Sequence, residues 1–295
     1  GEILNKFSKN ISVAHSPDAD DIFMYAAIAF GWASDERLKL SAKTDDIESL
    51  NLSCLKGVYD VCAISFGLYP HIFSDYALLD TATSFGRGYG PKLIVKKNAV
   101  LKRNFKVALS GKHTSNALLF SIAYPDARAV YMNFLEIEKA VLSGQVDAGV
   151  LIHESILDFS DELRVERELW DIWCELAGTS ELPLPLGGMA IRRSLPLNDA
   201  IATQNLLKKA VILARAHKST LSAMLLERGV LRVDDKNLAK YLELYANDES
   251  IELSEIQLAA LDKFFELGYT HGFYSQKIKT SDYLVPSEYL DIRNS

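Results

Sequence analysis

Short apolar runs alternate along this chain with longer stretches in which apolar residues recur every three or four positions. A run of four to six apolar residues bounded by turn formers suits a strand buried on both faces. Three- and four-residue spacing marks one face of a helix. The first pattern predicts strands at Ile11–Ala14, Leu38–Ala42, Val61–Ile64, Lys92–Lys96, Lys106–Leu109, Ala127–Met132, Ala148–Ile152 and Met189–Arg193, with a further short apolar run at Tyr76–Leu79. The second predicts helices at Ile22–Phe30, Ile47–Lys56, Asn116–Ala123 and Leu135–Leu142. Cap residues stand where these helices need them: Asp20 or Asp21, Asp45-Asp46, and Thr114 or Ser115. Alternating strands and helices predict an α/β fold.

Two irregular stretches divide this pattern. Gly86-Arg87-Gly88-Tyr89-Gly90-Pro91 precedes the strand Lys92–Lys96, and Leu182-Pro183-Leu184-Pro185-Leu186-Gly187-Gly188 precedes Met189–Arg193. Both strands are apolar with a basic end, as expected of two hinge strands bracketing an inserted lobe. The expected division is a larger lobe of residues 1–92 plus 192–295 and a smaller α/β lobe of residues 93–191. Leu163–Ala177, with Trp170, Ile172, Trp173 and Leu176, reads as a largely helical piece. After Pro196 the spacing turns helical at Asn198–His217, Ser219–Glu227, Asp235–Tyr245 and Ser254–Leu267, four helices expected to pack back onto the first lobe. Tyr283–Pro286 closes the chain as an extended tail.

Composition agrees with two lobes. The chain has 295 residues, more than one core usually serves, with 48% hydrophobic and 24% charged residues. Its net charge of -7, with basic residues scattered, excludes a nucleic-acid footprint, while a small anionic substrate stays compatible. Cys54, Cys62 and Cys174 form no CxxC pair, which suits a reducing cytoplasm. Gly1–Phe7 carries no apolar export signal, and no run of about 18 apolar residues predicts a membrane span. Oligomeric state has no signature.

The chemistry concentrates at strand ends. In open α/β sheets, ligands bind beyond the carboxyl ends of the strands. Ala148–Ile152 ends in His153-Glu154, and an imidazole titrates near neutrality, so His153 is a candidate acid–base group. Asp18-Ala19-Asp20-Asp21 offers carboxylates, but His15-Ser16-Pro17 separates them from the strand and helix capping accounts for at least one. His153-Glu154 lacks the second histidine of a zinc motif, so no metal site is predicted. Gly86–Gly90 fits neither nucleotide fingerprint, so no cofactor is predicted there, and a mobile loop is the better reading. No G-x-S-x-G elbow occurs. What remains is a set of small polar residues at the ends of strands: Ser16, Ser65, Ser110 to Ser115, and His153. Drawn from both expected lobes, they would line one interlobe cleft.

The residues carry a resemblance. His15-Ser16-Pro17-Asp18-Ala19-Asp20-Asp21-Ile22-Phe23-Met24, Asp45-Asp46-Ile47-Glu48-Ser49-Leu50-Asn51, Gly86–Pro91, Ser110-Gly111-Lys112-His113-Thr114, Ala148–Glu154 and Leu182–Gly187 together resemble the 1,4-dihydroxy-6-naphthoate synthase family of the futalosine route to menaquinone. The likeness runs from about residue 11 to residue 193. It implies a two-lobed periplasmic-binding-protein-like fold (type II) used in the cytoplasm as a carbon–carbon lyase. The implied substrate is cyclic dehypoxanthinylfutalosine, cleaved to 1,4-dihydroxy-6-naphthoate. His153 matches the family's proton acceptor. Ala63, Ile64 and Ser65 match one substrate-contacting stretch and Thr114-Ser115 another. Family members can carry Lys where this chain has Ala63, so a contact there would come from backbone or shape. The alternatives are chorismate dehydratase, a sister enzyme of the same pathway and fold, a non-catalytic small-anion solute-binding protein, and a metal-dependent phosphotransferase using Asp18 and Asp20.

Overall fold

The apolar runs become two separate sheets. The computed structural model describes residues 8–231, 234–245 and 250–287, and the N-terminal run Gly1–Phe7 lies outside them. The first sheet holds β1 (Lys9–His15), β2 (Leu38–Thr44), β3 (Val61–Ser65), β4 (Tyr76–Leu78), β5 (Ser84–Gly86) and β11 (Leu184–Arg192). Its order is β2-β1-β3-β11-β4, with β5 paired to β11. The second holds β6 (Lys92–Lys96), β7 (Lys106–Leu109), β8 (Arg128–Tyr131), β9 (Ala148–Leu151) and β10 (Leu163–Glu168), in the order β10-β6-β9-β7-β8. Within each sheet the strands joined by helical crossovers run parallel, β2-β1-β3 in one and β9-β7-β8 in the other. The first strand after each crossing, β6 and then β11, runs antiparallel to its neighbours.

The helices are α1 (Ala19–Ala29), α2 (Ile47–Leu55), α3 (Ser115–Ala123), α4 (Ile137–Leu142), α5 (Leu169–Ala177), α6 (Leu197–Ala216), α7 (Lys218–Glu227), α8 (Asp235–Tyr245) and α9 (Glu255–Thr270). Side chains cap two of the predicted starts: Asp46 accepts from the Ser49 N–H, and Thr114 from the Ala117 N–H. At α1 the cap position falls on Asp18, whose side chain makes no cap bond, while Asp20 and Asp21 sit in the first turn.

Three expectations change. Lys92–Lys96 is itself a strand of the second sheet and Leu184–Arg192 one of the first, and the chain crosses between sheets at residues 87–91 and 178–183. The whole of β11 pairs with β3, β4 and β5, so the return to the first sheet comes before Leu184 and not at residue 191. Gly187 allows this pairing, since a Cβ there would lie 2.8 Å from the Ile64 carbonyl oxygen. The second change is at Leu163–Glu168, which is a strand and not a helix, antiparallel to β6 with a register shift between Val165 and Arg167. Its charges find partners across the strand pair, as in the 2.7 Å Lys92–Glu168 ion pair, and the helix begins only at Leu169. The third is the C-terminal packing. Helices α6, α7 and α8 do pack on α1, but α9 packs on both β11 and α5, with Phe264 and Trp173 ring centroids 6.4 Å apart.

Glycine at position 149 sets how closely α4 approaches β9. A Cβ there would stand 2.5 Å from Ile137 Cγ2 and 3.0 Å from Val141 Cγ2, both fully buried. Gly149→Ala is therefore expected to lower unfolding free energy by about 1–3 kcal/mol through overpacking. Denaturant titration checks this, and an unchanged midpoint would contradict the packing.

Candidate active site

The polar strand ends converge on one cavity. It lies between the two sheets. Ser16, Ala63, Ile64, Ser65, Thr114, Ser115 and His153 all line it, whereas residues 110–113, expected there with them, do not. The first sheet contributes Ser65 at the end of β3 and Ser16 just past β1. The second contributes His153 just past β9, and α3 presents its N-terminal end.

His153 is held in a costly conformation. Its φ is +53°, in the left-handed region that L side chains rarely adopt. Strain of about 1–3 kcal/mol persists only where the surroundings over-determine it. Here Nδ1 lies 3.0 Å from Asp18 Oδ2, and the ring meets Phe134 edge-on at 5.0 Å. The Asp18 side chain is 9% exposed and that of His153 23%. Asp18 belongs to the first sheet's loop and His153 to the second sheet's, so the contact crosses the cleft. The sequence reading weighed Asp18 only as a metal ligand or phosphotransferase group. No local pattern could have joined it to His153.

Next to this pair, Asp21 accepts from the Ser16 N–H at 3.0 Å and the Ser16 hydroxyl at 2.9 Å. Burial first, and then the nearby Asp18 charge, push the Asp21 carboxyl up to about 7, against the two Ser16 bonds. Burial first, then the charges of Asp21 and Asp18, raise Asp20 well above the carboxylate range. Asp20 Oδ1 is buried and accepts no hydrogen bond among the described residues. Burial lowers His15, which stacks on Tyr25 at 4.3 Å and hydrogen-bonds the Ser16 carbonyl, so it belongs to the scaffold.

The hydroxyls divide into one available donor and two fasteners. Ser65 Oγ accepts from Asn51 Nδ2 at 3.1 Å, and Asn51 Oδ1 accepts from the Ser65 N–H at 3.0 Å. That leaves the Ser65 O–H to donate into the cleft. The Thr114 hydroxyl donates to the Gly111 carbonyl and accepts from Ala117 N–H. The Ser115 hydroxyl donates to the Leu186 carbonyl at 2.7 Å and accepts from the Gly67 N–H at 3.0 Å, bridging from α3 to the first sheet's side. Both hydroxyl protons are thus committed to protein, which leaves α3 the N–H groups of its first turn, that of Ala117 excepted, to offer a ligand. Ala63 and Ile64 supply apolar wall. Sequence reading missed the buried Asn51, which orients Ser65. It also missed Asn116, a buried cleft residue whose Oδ1 has no partner among the described residues. A second histidine–carboxylate contact, His113 Nδ1 to Glu48 Oε1 at 3.0 Å, also joins the two sides.

Comparison with known proteins follows the same lines. A family model described as menaquinone biosynthesis matches residues 11–270. The 1,4-dihydroxy-6-naphthoate synthase of Streptomyces coelicolor is 28% identical over 258 residues, covering 85% of this chain and 90% of that protein. A crystal structure of an Archaeoglobus fulgidus protein is 34% identical with a TM-score of 0.80, covering 89% of this chain and 98% of that one. The alkanesulfonate-binding protein of Xanthomonas axonopodis, solved with MOPS bound, has a TM-score of 0.64 at 13% identity, covering 93% of this chain and 97% of that one. That last likeness is one of fold, and it makes the architecture periplasmic-binding-protein-like.

The raised Asp21 carboxyl has a consequence for stability. An acid whose folded-state pKa exceeds its unfolded value of 3.8 binds its proton more tightly when folded. It therefore makes stability fall as pH rises from about 4 to about 7. Asp21→Asn keeps an acceptor for Ser16 and should make that fall shallower. Denaturant unfolding across this range checks it, and an identical slope in both proteins would contradict it.

Proposed function

The chain belongs to the menaquinone biosynthesis family, and from that premise we propose that it cleaves cyclic dehypoxanthinylfutalosine to 1,4-dihydroxy-6-naphthoate with His153 as general base. It is a lyase acting on a small molecule. The observation that carries the proposal is His153 itself, held at φ +53° on the cleft wall with Nδ1 3.0 Å from Asp18 Oδ2.

A neutral imidazole whose Nδ1–H faces a carboxylate keeps the Nε2 lone pair for a substrate proton. His153 removes a proton from the sugar-derived part of the substrate, which starts carbon–carbon cleavage and ends in aromatisation. Asp18 stabilises the imidazolium that forms and fixes the ring, acting through His153 as a positioning residue. The Ser65 hydroxyl and the N-terminal N–H groups of α3 hold substrate oxygens. Ala63, Ile64 and Ser16 shape the wall, and Thr114 and Ser115 hold α3 in place. Closure of the two lobes on the substrate would exclude water. In this reading the enzyme works in the cytoplasm, where its three free cysteines stay reduced.

The test is a turnover assay with cyclic dehypoxanthinylfutalosine. His153→Ala should lower kcat by about 10²–10⁴-fold, the usual contribution of a positioned base, while the thermal melt stays close to wild type. Asp18→Asn should lower kcat with little change in KM, as expected for an interaction made in the transition state. Near-normal turnover by His153→Ala would remove the histidine from this role.

A further inference from the structure

No lysine or arginine among the described residues lines the cleft that holds His153. Without a cation there, substrate oxygens are selected by hydrogen bonds and not by ion pairs. One cleft side chain is left over from the protein's own hydrogen bonding. Asn116, the second residue of α3, is 8% exposed and lines the cleft, and its Oδ1 accepts no hydrogen bond among the described residues. Buried polar groups are seldom left unpaired, so this amide points to a partner that the chain does not supply.

Local rules do not account for it. A short polar side chain at a helix start usually bonds the nearby backbone. Asn133 does so here, accepting from the Leu135 N–H, and so do Asp46 and Thr114 at the starts of α2 and α3. At α3 the Ala117 N–H is already taken by Thr114. The neighbouring residue also fixes where Asn116 stands. The Ser115 hydroxyl is bonded to both the Gly67 N–H and the Leu186 carbonyl, so the start of α3 cannot withdraw from the cleft without breaking these bonds. A side chain held in place before its ligand arrives loses less freedom on binding.

The chemistry of the amide names its partner. It carries an acceptor oxygen and a donor nitrogen, and a half-turn about χ2 exchanges the two. A hydroxyl both donates and accepts, so it satisfies either edge. A carboxylate only accepts and would leave the oxygen unpaired. We propose that Asn116 is a specificity-determining residue that hydrogen-bonds a hydroxyl on the sugar-derived part of the substrate. This rests on the lyase reading above, from which it takes its ligand. Ser65 donates from the first sheet's side and Asn116 bonds from α3, so the sugar-derived part is held from both walls of the cleft while His153 takes its proton.

The experiment uses the full chain, the cyclic futalosine derivative, and analogues in which its sugar-derived hydroxyls are replaced by hydrogen one at a time. Calorimetry reads dissociation constants in the His153→Ala background, so that the ligand is not consumed. One analogue should bind about tenfold or more weakly than the parent, because it leaves the buried amide unpaired. Adding Asn116→Ala should remove that difference while the differences shown by the other analogues stay. An asparagine with a structural role alone would weaken the parent and every analogue alike and leave all the differences intact. In otherwise wild-type protein, Asn116→Ala should raise KM with little change in kcat, as for a contact made equally in the ground and transition states. If Asn116→Ala does not fold, Asn116→Ser, with a residue suited to helix starts, should show the same loss of discrimination. Discrimination that survives the substitution overturns the role of Asn116, and wild-type turnover then leaves the lyase reading standing. If wild type does not turn over the derivative yet the discrimination depends on Asn116, the lyase reading fails and hydroxyl recognition stands. Protein that binds neither the parent nor its analogues overturns both.

Discussion

One close approach governs the geometry of this molecule. A Cβ at Gly67 would lie 2.9 Å from the Thr114 carbonyl oxygen, so only glycine lets the turn after β3 meet the start of α3. The Ser115 hydroxyl then ties the Gly67 N–H to the Leu186 carbonyl from the other side. These contacts set how far apart the two sheets stand at the floor of the cleft. With that distance fixed, His153 reaches Asp18 and His113 reaches Glu48 across the same gap. A cleft pinned at its base and bridged by two imidazole–carboxylate contacts is arranged to hold reactive groups from both sides in register.

Much of this was legible in the sequence because it follows from short-range rules. Buried strands announce themselves as apolar runs, and the residue after a strand in an α/β sheet faces the ligand crevice. That logic was enough to place Ser16, Ser65 and His153 on one cleft. It could not see β5, whose signal is the single buried Phe85, nor β10, where Arg and Glu alternate with few apolar residues. Charged residues suit a helix as well as an edge strand, and only pairing with β6 decides between them. The boundary at β11 was misplaced for a similar reason. A run of Leu, Pro and Gly looks irregular until its glycines are seen lying against Ile64 and Phe66.

The roles of side chains were less legible than their places. Thr114 and Ser115 do face the cleft, but their hydroxyl protons are committed to carbonyls, so α3 offers a ligand its backbone N–H groups. Asn51 touches Ser65 and Asp18 touches His153, and such contacts join positions separated in sequence. The resulting cleft is rich in acids and poor in cations. Burial answers the acids by holding Asp20 and Asp21 towards their protonated forms.

The central claim is that His153 presents a free Nε2 lone pair because Asp18 holds its Nδ1–H. Nitrogen-15 NMR of selectively labelled histidine reads this directly, with His153→Gln assigning the signal. The account predicts the Nδ1–H tautomer in the neutral folded protein, and loss of that preference in Asp18→Asn. A neutral His153 protonated at Nε2 in the wild type would contradict it.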